Sequence, residues 1–302
     1  MENIIEVRNL DKSYGKTQVL FNLSLDVRRG ECLGIVGGNG AGKTTLLECI
    51  EGIRDWQKGD ILIDGMTIED DSRQIREILG VQLQSSSLPD EMKVKEAVEL
   101  FSAEHGAGFD DRLYDELDVR QLREKQYGKL STGQKRRLHL LLAILHDPKI
   151  IILDEPTAGL DVNSRQLLYA KIDELKKEGK TILLTSHDMF EVENLCDRVL
   201  FIEKGRIGRE LSEESLADGD RHIVAVSSEK NSLVGADLIY SSLKEEIDGE
   251  LYFECGSINL CLTELLERLK AEDDRITNIY IKKKTVEEEL TKMMRGDGHE
   301  NA

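Results

Sequence analysis

A chain of 302 residues, 39% hydrophobic and 33% charged, is long enough to bury a sizeable core and has a globular composition. Its 41 Lys and Arg against 59 Asp and Glu leave a net charge of −18, with no long basic run. Such acidity argues against a machine that tracks DNA or RNA, and no nucleic-acid partner is expected. The short clusters Lys135-Arg136-Arg137 and Lys282-Lys283-Lys284 read as solvated faces. Met1 to Glu6 shows no basic segment leading into an apolar one, and no stretch approaches the ~18–20 apolar residues of a membrane helix. A cytoplasmic chain without a signal peptide is the expectation. The five cysteines lack CxxC spacing and the six histidines lack HxxxH spacing. Reduced, buried thiols and no metal site built by the protein alone follow from that.

In chain order, residues 3–10 and 17–28 alternate apolar and polar positions, which predicts two half-buried antiparallel strands with Tyr14-Gly15 at the turn. Glu31 to Val36 ends in an apolar, strand-like run, and Thr45 to Ile50 continues with helical spacing. Asp60 to Gly65 is a further short strand ending in a turn. Helical patterns dominate from about 91 to 146, including the apolar stretch from Leu138 to Leu145 that holds His139. Pro148 breaks this pattern. Ile150 to Leu153 is then a continuous apolar run of the kind buried in a parallel sheet. A helix from about Ser164 to Lys177, a strand over Thr181–Thr185 and a last unit from Met189 to Ile202 complete the larger part. Beyond residue 211 the texture changes: residues 211–302 hold 11 Lys and Arg against 21 Asp and Glu. Strand-like pieces at Ile223–Val226, Leu251–Glu254 and Ile276–Ile281 alternate there with helical patterns at about Leu260–Lys270 and Val286–Met294.

Gly37-Gly38-Asn39-Gly40-Ala41-Gly42-Lys43-Thr44-Thr45 fits the phosphate-loop pattern G-x-x-x-x-G-K-[ST], set between a strand and a helix as that pattern requires. Glycines let the backbone curl so that N–H groups converge on phosphate oxygens at the positive end of a helix dipole. Lys43 would reach the outer phosphates and the Thr44 hydroxyl would hold Mg2+. About a hundred residues on, Ile150 to Glu155 puts two carboxylates at the C-terminal end of a buried strand, on the sheet edge where α/β folds bind ligands. Asp154 would bind Mg2+ and Glu155 would polarise the attacking water. Leu130-Ser131-Thr132-Gly133-Gln134 opens a helix, where a hydroxyl and bare N–H groups can meet a phosphate; the same residues also make an ordinary N-cap. Ser186-His187-Asp188 spells a hydrolase triad only in sequence, because neighbours in an extended segment point to opposite faces.

Taken together, these stretches resemble the ABC ATPases. Leu130 to Gln134 is similar to that family's signature, Asp154 to Asp161 to its Walker B segment and D-loop, and Thr185 to Asp188 to its switch-histidine region. Gln84 sits where the family has its Q-loop glutamine, with Gln82 as the competing position, and Tyr14 where it has the aromatic that stacks on adenine. The motifs stand in the family's order over residues 3 to about 210. Two departures are visible: Gly38 replaces the usual proline of the phosphate loop, and Thr132 replaces a signature glycine. The resemblance implies an α/β fold with a P-loop NTPase (RecA-like) core, an antiparallel β layer and a helical subdomain. The nucleotide-binding domain would cover 1–210, with the helical subdomain at about 85–146. A small α+β accessory domain would cover 211–295, and 296–302 would be a disordered tail.

The implied activity is ATP hydrolysis coupled to transport, with ATP and Mg2+ as cofactors. Catalytic roles fall to Glu155, His187 and Gln84, and metal binding to Thr44, Gln84 and Asp154. Nucleotide contacts fall to Tyr14, to Gly37 through Thr45, and to Ser131, Gly133 and Asp161. Such ATPases pair head to tail, each ATP lying between one phosphate loop and the other copy's signature, so a homodimer is expected. A separate transmembrane permease, gripped near residues 85–105, would hold the chain on the cytoplasmic face of the membrane. The C-terminal part resembles ATPase subunits of ABC-2-type exporters of drugs, antibiotics or Na+. Alternatives are a soluble ABC ATPase acting on ribosomes or DNA, or an import ATPase.

Overall fold

The computed structural model describes residues 2–82, 88–106, 110–211, 222–236, 238–247, 249–255 and 258–283. Two units emerge, Met1–Glu213 and Glu214–Ala302. In the first, the alternation near the N-terminus becomes two long strands, β1 (Asn3–Tyr14) and β2 (Thr17–Arg28). With β4 (Lys58–Ile63) and β5 (Met66–Thr67) they form an antiparallel sheet in the order β2-β1-β4-β5.

A second sheet holds six strands. Its members are β3 (Cys32–Val36), β6 (Leu79–Gln82), β7 (Ile150–Asp154), β8 (Thr181–Ser186), β9 (Arg198–Glu203) and β10 (Arg206–Leu211). The order is β10-β9-β3-β8-β7-β6, with β10 antiparallel at one edge and parallel pairing elsewhere. β3, β7 and β8 are buried along their whole length, which is why apolar runs such as Ile150–Leu153 and Ile182–Leu184 fill them. The helix α1 (Lys43–Ile50) buries Leu46, Leu47 and Ile50 in a cluster shared with both sheets, including Ile5, Ile63, Leu33, Ile35, Ile150 and Ile152.

The helices α2 (Ile68–Ile78), α3 (Val94–Glu104), α4 (Arg112–Glu116), α5 (Thr132–Ile144), α6 (Val162–Lys177) and α7 (Met189–Leu195) complete this unit. Close packing against the parallel sheet depends on two glycines. A Cβ on Gly80 would lie 2.0 Å from the Ala143 carbonyl oxygen of α5, and one on Gly34 would lie 2.8 Å from Cys196 Sγ. His139, within the apolar stretch of α5, is bonded at 2.8 Å to Tyr127 Oη, and burial lowers its pKa to about 4. It is a neutral core residue. All five cysteines are free and buried. No described helix is long and apolar enough to cross a membrane.

Arg198 is a buried charge in this core. It is 6% exposed and meets Glu31 Oε1 at 2.7 Å, Glu210 Oε1 at 3.0 Å and the Asp26 carbonyl. Arg198→Met is expected to lower the unfolding free energy in urea by about 3–5 kcal/mol, because Glu31 stays buried without its cation. Adding Glu31→Gln should recover much of that. A loss below about 1 kcal/mol for the single variant would show that water reaches the site.

In the second unit, β11 (His222–Ser228), β12 (Ser241–Ile247), β13 (Glu250–Cys255) and β14 (Ile276–Lys283) form an antiparallel sheet in the order β12-β13-β11-β14. The helix α8 (Ile258–Ala271) supplies Cys261, Leu265 and Leu269 to a core with Val224, Val226, Leu251 and Phe253. The helical pattern at 286–294 and the tail at 296–302 lie outside the described residues.

Candidate functional site

Because β3, β8 and β7 are parallel neighbours, their C-terminal ends open on one edge of the sheet. The phosphate-loop segment leaves β3, Glu155 follows β7, and His187 follows β8. This edge therefore gathers residues more than a hundred positions apart.

The loop's backbone explains its glycines. A Cβ on Gly37 would lie 2.4 Å from the Ile202 carbonyl oxygen. Gly40 and Gly42 hold φ values of 78° and 108°, in the left-handed region. Gly38 has open space around it and no such φ, so the loop does not require glycine there. Asn39 through Thr45 line a cavity of about 320 Å³ together with Val19 of β2 and Glu155. Lys43 Nζ, at the first helical residue, bonds the carbonyls of Gly37 (2.8 Å) and Gly38 (3.3 Å) and lies 3.6 Å from Glu155 Oε1.

Asp154 is 1% exposed and accepts bonds from Thr44 Oγ1 at 3.0 Å and from Thr185 Oγ1. Hydroxyl and carboxylate oxygens of this kind suit a hard divalent cation. Among the described residues no cluster of three His, Cys, Asp or Glu stands ready to hold a metal alone. Such a pair suits a cation whose remaining ligands are phosphates and water.

Glu155 departs from the strand with φ 45°, a left-handed conformation that costs a non-glycine residue about 1–2 kcal/mol. Its N–H is held by Thr185, at 3.2 Å to the carbonyl and 3.1 Å to the hydroxyl. The turn matters because successive strand residues face opposite ways. With it, Glu155 reaches Lys43 through one oxygen and His187 Nδ1 through the other, at 3.5 Å. Ser186 makes no relay with that histidine. Its hydroxyl donates to Glu191 and accepts from the Asp188 N–H.

Ser131 caps α5: its hydroxyl accepts from Gln134 N–H at 3.3 Å and its own N–H donates to Gln134 Oε1 at 3.1 Å. Gly133 is buried, and a Cβ there would lie 2.8 Å from Ser164 Oγ. Ser164 is held in turn by Asp161, the cap of α6, whose carboxyl those bonds keep below the usual range. The glycine thus lets the starts of α5 and α6 close together. Thr132 keeps its side chain exposed on the side of Gly159. Ser131, Gly133 and Asp161 do not line the phosphate-loop cavity.

Tyr14 ends β1, is 42% exposed and is also absent from that cavity's lining. Lys12 Nζ sits 4.9 Å from its ring centroid and bonds the Asp55 carbonyl. Gln84 lies outside the described residues. Gln82 is the last residue of β6, 1% exposed, and neither carboxamide atom has a hydrogen-bond partner among the described residues. Val19 and Glu191 escape sequence reasoning, since no motif marks them; Thr185 opens the motif around His187, but its bonds to Asp154 and Glu155 are not legible there.

Glu51, at the C-terminal cap of α1, has both carboxyl oxygens shielded from solvent and without a partner among the described residues. Burial first, then the charge of Asp154, raises its pKa from 4.5 to about 8. The folded state therefore keeps a proton that the unfolded chain releases above about pH 4.5, and stability falls from there up to about pH 8. Glu51→Gln should remove this dependence. In nucleotide-free melts its advantage over the parent should widen by about 3 kcal/mol between about pH 5 and about pH 8. Parallel pH profiles would show that Glu51 is ionised in the folded protein.

Residues 20–158 match the family model described as ABC transporter. The Nod factor export ATP-binding protein I of Burkholderia orbicola (strain AU 1054) is 36% identical over 241 residues, 78% of this chain and 75% of that protein. The protein of the same name from Cupriavidus metallidurans is 33% identical over 282 residues, 91% of this chain and 86% of that one. Among solved structures, an ATP-binding subunit of an ABC transporter superposes with a TM-score of 0.65 at 27% identity, over 69% of this chain and 90% of that one. A dimeric bacterial ABC transporter cassette superposes with a TM-score of 0.64, also at 27% identity, over 69% and 98% of the two chains. The chain belongs to the ATP-binding subunits of ABC transporters, and it is an ATPase with the P-loop fold of that family.

Proposed function

We propose that two copies of this chain close on two ATP molecules and drive a separate membrane permease of the ABC-2 exporter type. The observation that carries the chemistry is the line Lys43–Glu155–His187 at the ends of three parallel strands. Lys43 and the loop N–H groups take the phosphates, and Thr44 and Asp154 would hold Mg2+, which would supply charge neutralisation at the phosphates. Glu155 orients and deprotonates the attacking water, and His187 contacts the γ-phosphate. Tyr14 stacks on adenine, and Gln84 would be a further metal ligand.

Two facts support the paired arrangement. Ser131 and Thr132 are exposed at the start of α5, yet neither they nor the buried Gly133 line this chain's own phosphate cavity. A second copy can bring its helix start there, by an isologous contact that completes both sites. A solved relative at 27% identity is itself a dimer. Exporter coupling is supported by likeness beyond the ATPase core. The Nod factor export relatives align over as much as 91% of this chain, whereas the solved cassettes above cover 69%. The permease holds the chain at the cytoplasmic face of the membrane through the segment around 85–105. Co-expression with a candidate six-helix permease tests the reading. A stable complex with altered ATP turnover is expected, whereas ATP-dependent sedimentation with ribosomes, and no membrane partner, would overturn it.

A further inference from the structure

Glu191 lies in the first turn of α7, is 1% exposed and belongs to none of the motifs. Its oxygens are divided between two segments that flank Glu155. Oε1 accepts from Thr157 Oγ1 at 2.9 Å, and Oε2 accepts from Ser186 Oγ at 2.5 Å. Thr157 begins the turn that runs through Gly159 to Asp161, and Ser186 immediately precedes His187. Both hydroxyl residues are buried, at 5% and 1% exposure. A second, more exposed tie lies next to it: Arg165, in the helix α6 that follows the turn, is 3.6 Å from Asp188, the residue after His187. The cleft they enclose, about 110 Å³, has Glu155, His187 and Glu191 in its wall.

A carboxylate suits this place because it accepts from both hydroxyls at once, and each bond to a charged acceptor is worth more than a neutral one. Burial nonetheless raises the carboxyl's pKa against those two donors. A fold needing only apolar contact here would not place an acid at this cost.

We propose that Glu191 is a positioning residue for ATP hydrolysis, holding the Thr157–Asp161 turn and the Ser186–His187 segment as one body beside Glu155. This rests on the composite-site reading above. Through it, movement of the turn that leads to Asp161 is carried to His187. Hydrolysis in one site is thereby tied to closure at the other.

The test compares full-length Glu191→Ala, Glu191→Gln, Thr157→Val and Ser186→Ala in steady-state ATP turnover, with thermal melts and fluorescent ATP binding alongside. Glu191→Ala is expected to lower kcat about 30-fold with KM changed less than about 3-fold, since the phosphate loop is untouched. Glu191→Gln, which can still accept from one hydroxyl and donate to the other, should recover to within about 3-fold of the parent. The two hydroxyl variants should each lower kcat, and together no more than Glu191→Ala does. A kcat loss that only tracks a lower folded fraction, a change confined to KM, or parental turnover in all four variants overturns the proposal. Glu155→Gln runs as the control. If it stays active the assignment of Glu155 fails, and if Ser131→Arg keeps parental turnover the composite-site reading fails; if both are inactive while Glu191→Ala is not, only the positioning role falls.

Discussion

Glu155→Gln is expected to lower ATP turnover at least about 100-fold while leaving ATP binding intact, the loss typical of removing a positioned proton acceptor. The substitution is nearly isosteric, and glutamine meets the same left-handed φ of 45° under the same two bonds from its N–H to Thr185. Geometry at the strand end is thus retained. What disappears is the negative charge that lies 3.6 Å from Lys43 and 3.5 Å from His187. Without it the line loses its carboxylate base, while Lys43 is left freer to engage phosphate. ATP should bind as tightly as before or more so, and the closed dimer should accumulate. Phosphate release together with size-exclusion chromatography in ATP reads both effects. Turnover within about 3-fold of the parent would remove Glu155 from the mechanism.

How much of this was legible in the chain depends on whether the signal was local. Gly37 to Thr45 was, because a cradle for phosphate needs glycines and a lysine at fixed spacing between strand and helix. Ile150 to Leu153 was, because a strand buried on both faces is apolar along its core. Other elements carry no such mark. The helix α2 is dense in charge and buries only Ile75, so its apolar stripe is too thin to read. β12 is exposed at every position after Ser241 and shows no alternation. β6 is four residues long and contains Gly80 and Gln82, both poor strand signals.

The site divides the same way. Identities such as Lys43, Asp154 and His187 could be read from motif order, but their mutual distances could not. The left-handed turn at Glu155 has no signature in residue type, since glutamate rarely adopts it. Glu191 stands 34 residues from Thr157 and 5 from Ser186, and only the packing of α7 beneath both segments joins them. Tyr14 shows the converse: its position in the sequence suggests adenine stacking, while the fold places it at an exposed strand end, backed by Lys12.

Ser131→Arg should abolish ATP-driven dimerisation and lower hydrolysis about 100-fold or more, with nucleotide binding to the single chain unchanged. Ser131 is exposed at the start of α5 and does not line the phosphate-loop cavity of its own chain, so a longer side chain there need not disturb ATP in that cavity. Its effect falls on the approach of the second copy, whose phosphate must come within hydrogen-bond distance of this helix start. The larger side chain fills that space and also removes the bond to Gln134 N–H, a cap worth about 1 kcal/mol. Ser131→Ala separates the two causes, since it removes the cap without adding bulk. It should cost the same stability in a melt yet still permit some ATP-dependent pairing. Both are best measured with Glu155→Gln present, where the closed dimer accumulates and can be counted directly. If Ser131→Arg still pairs on ATP to the same extent, the two sites are not built across the copies, and hydrolysis must be completed within one chain.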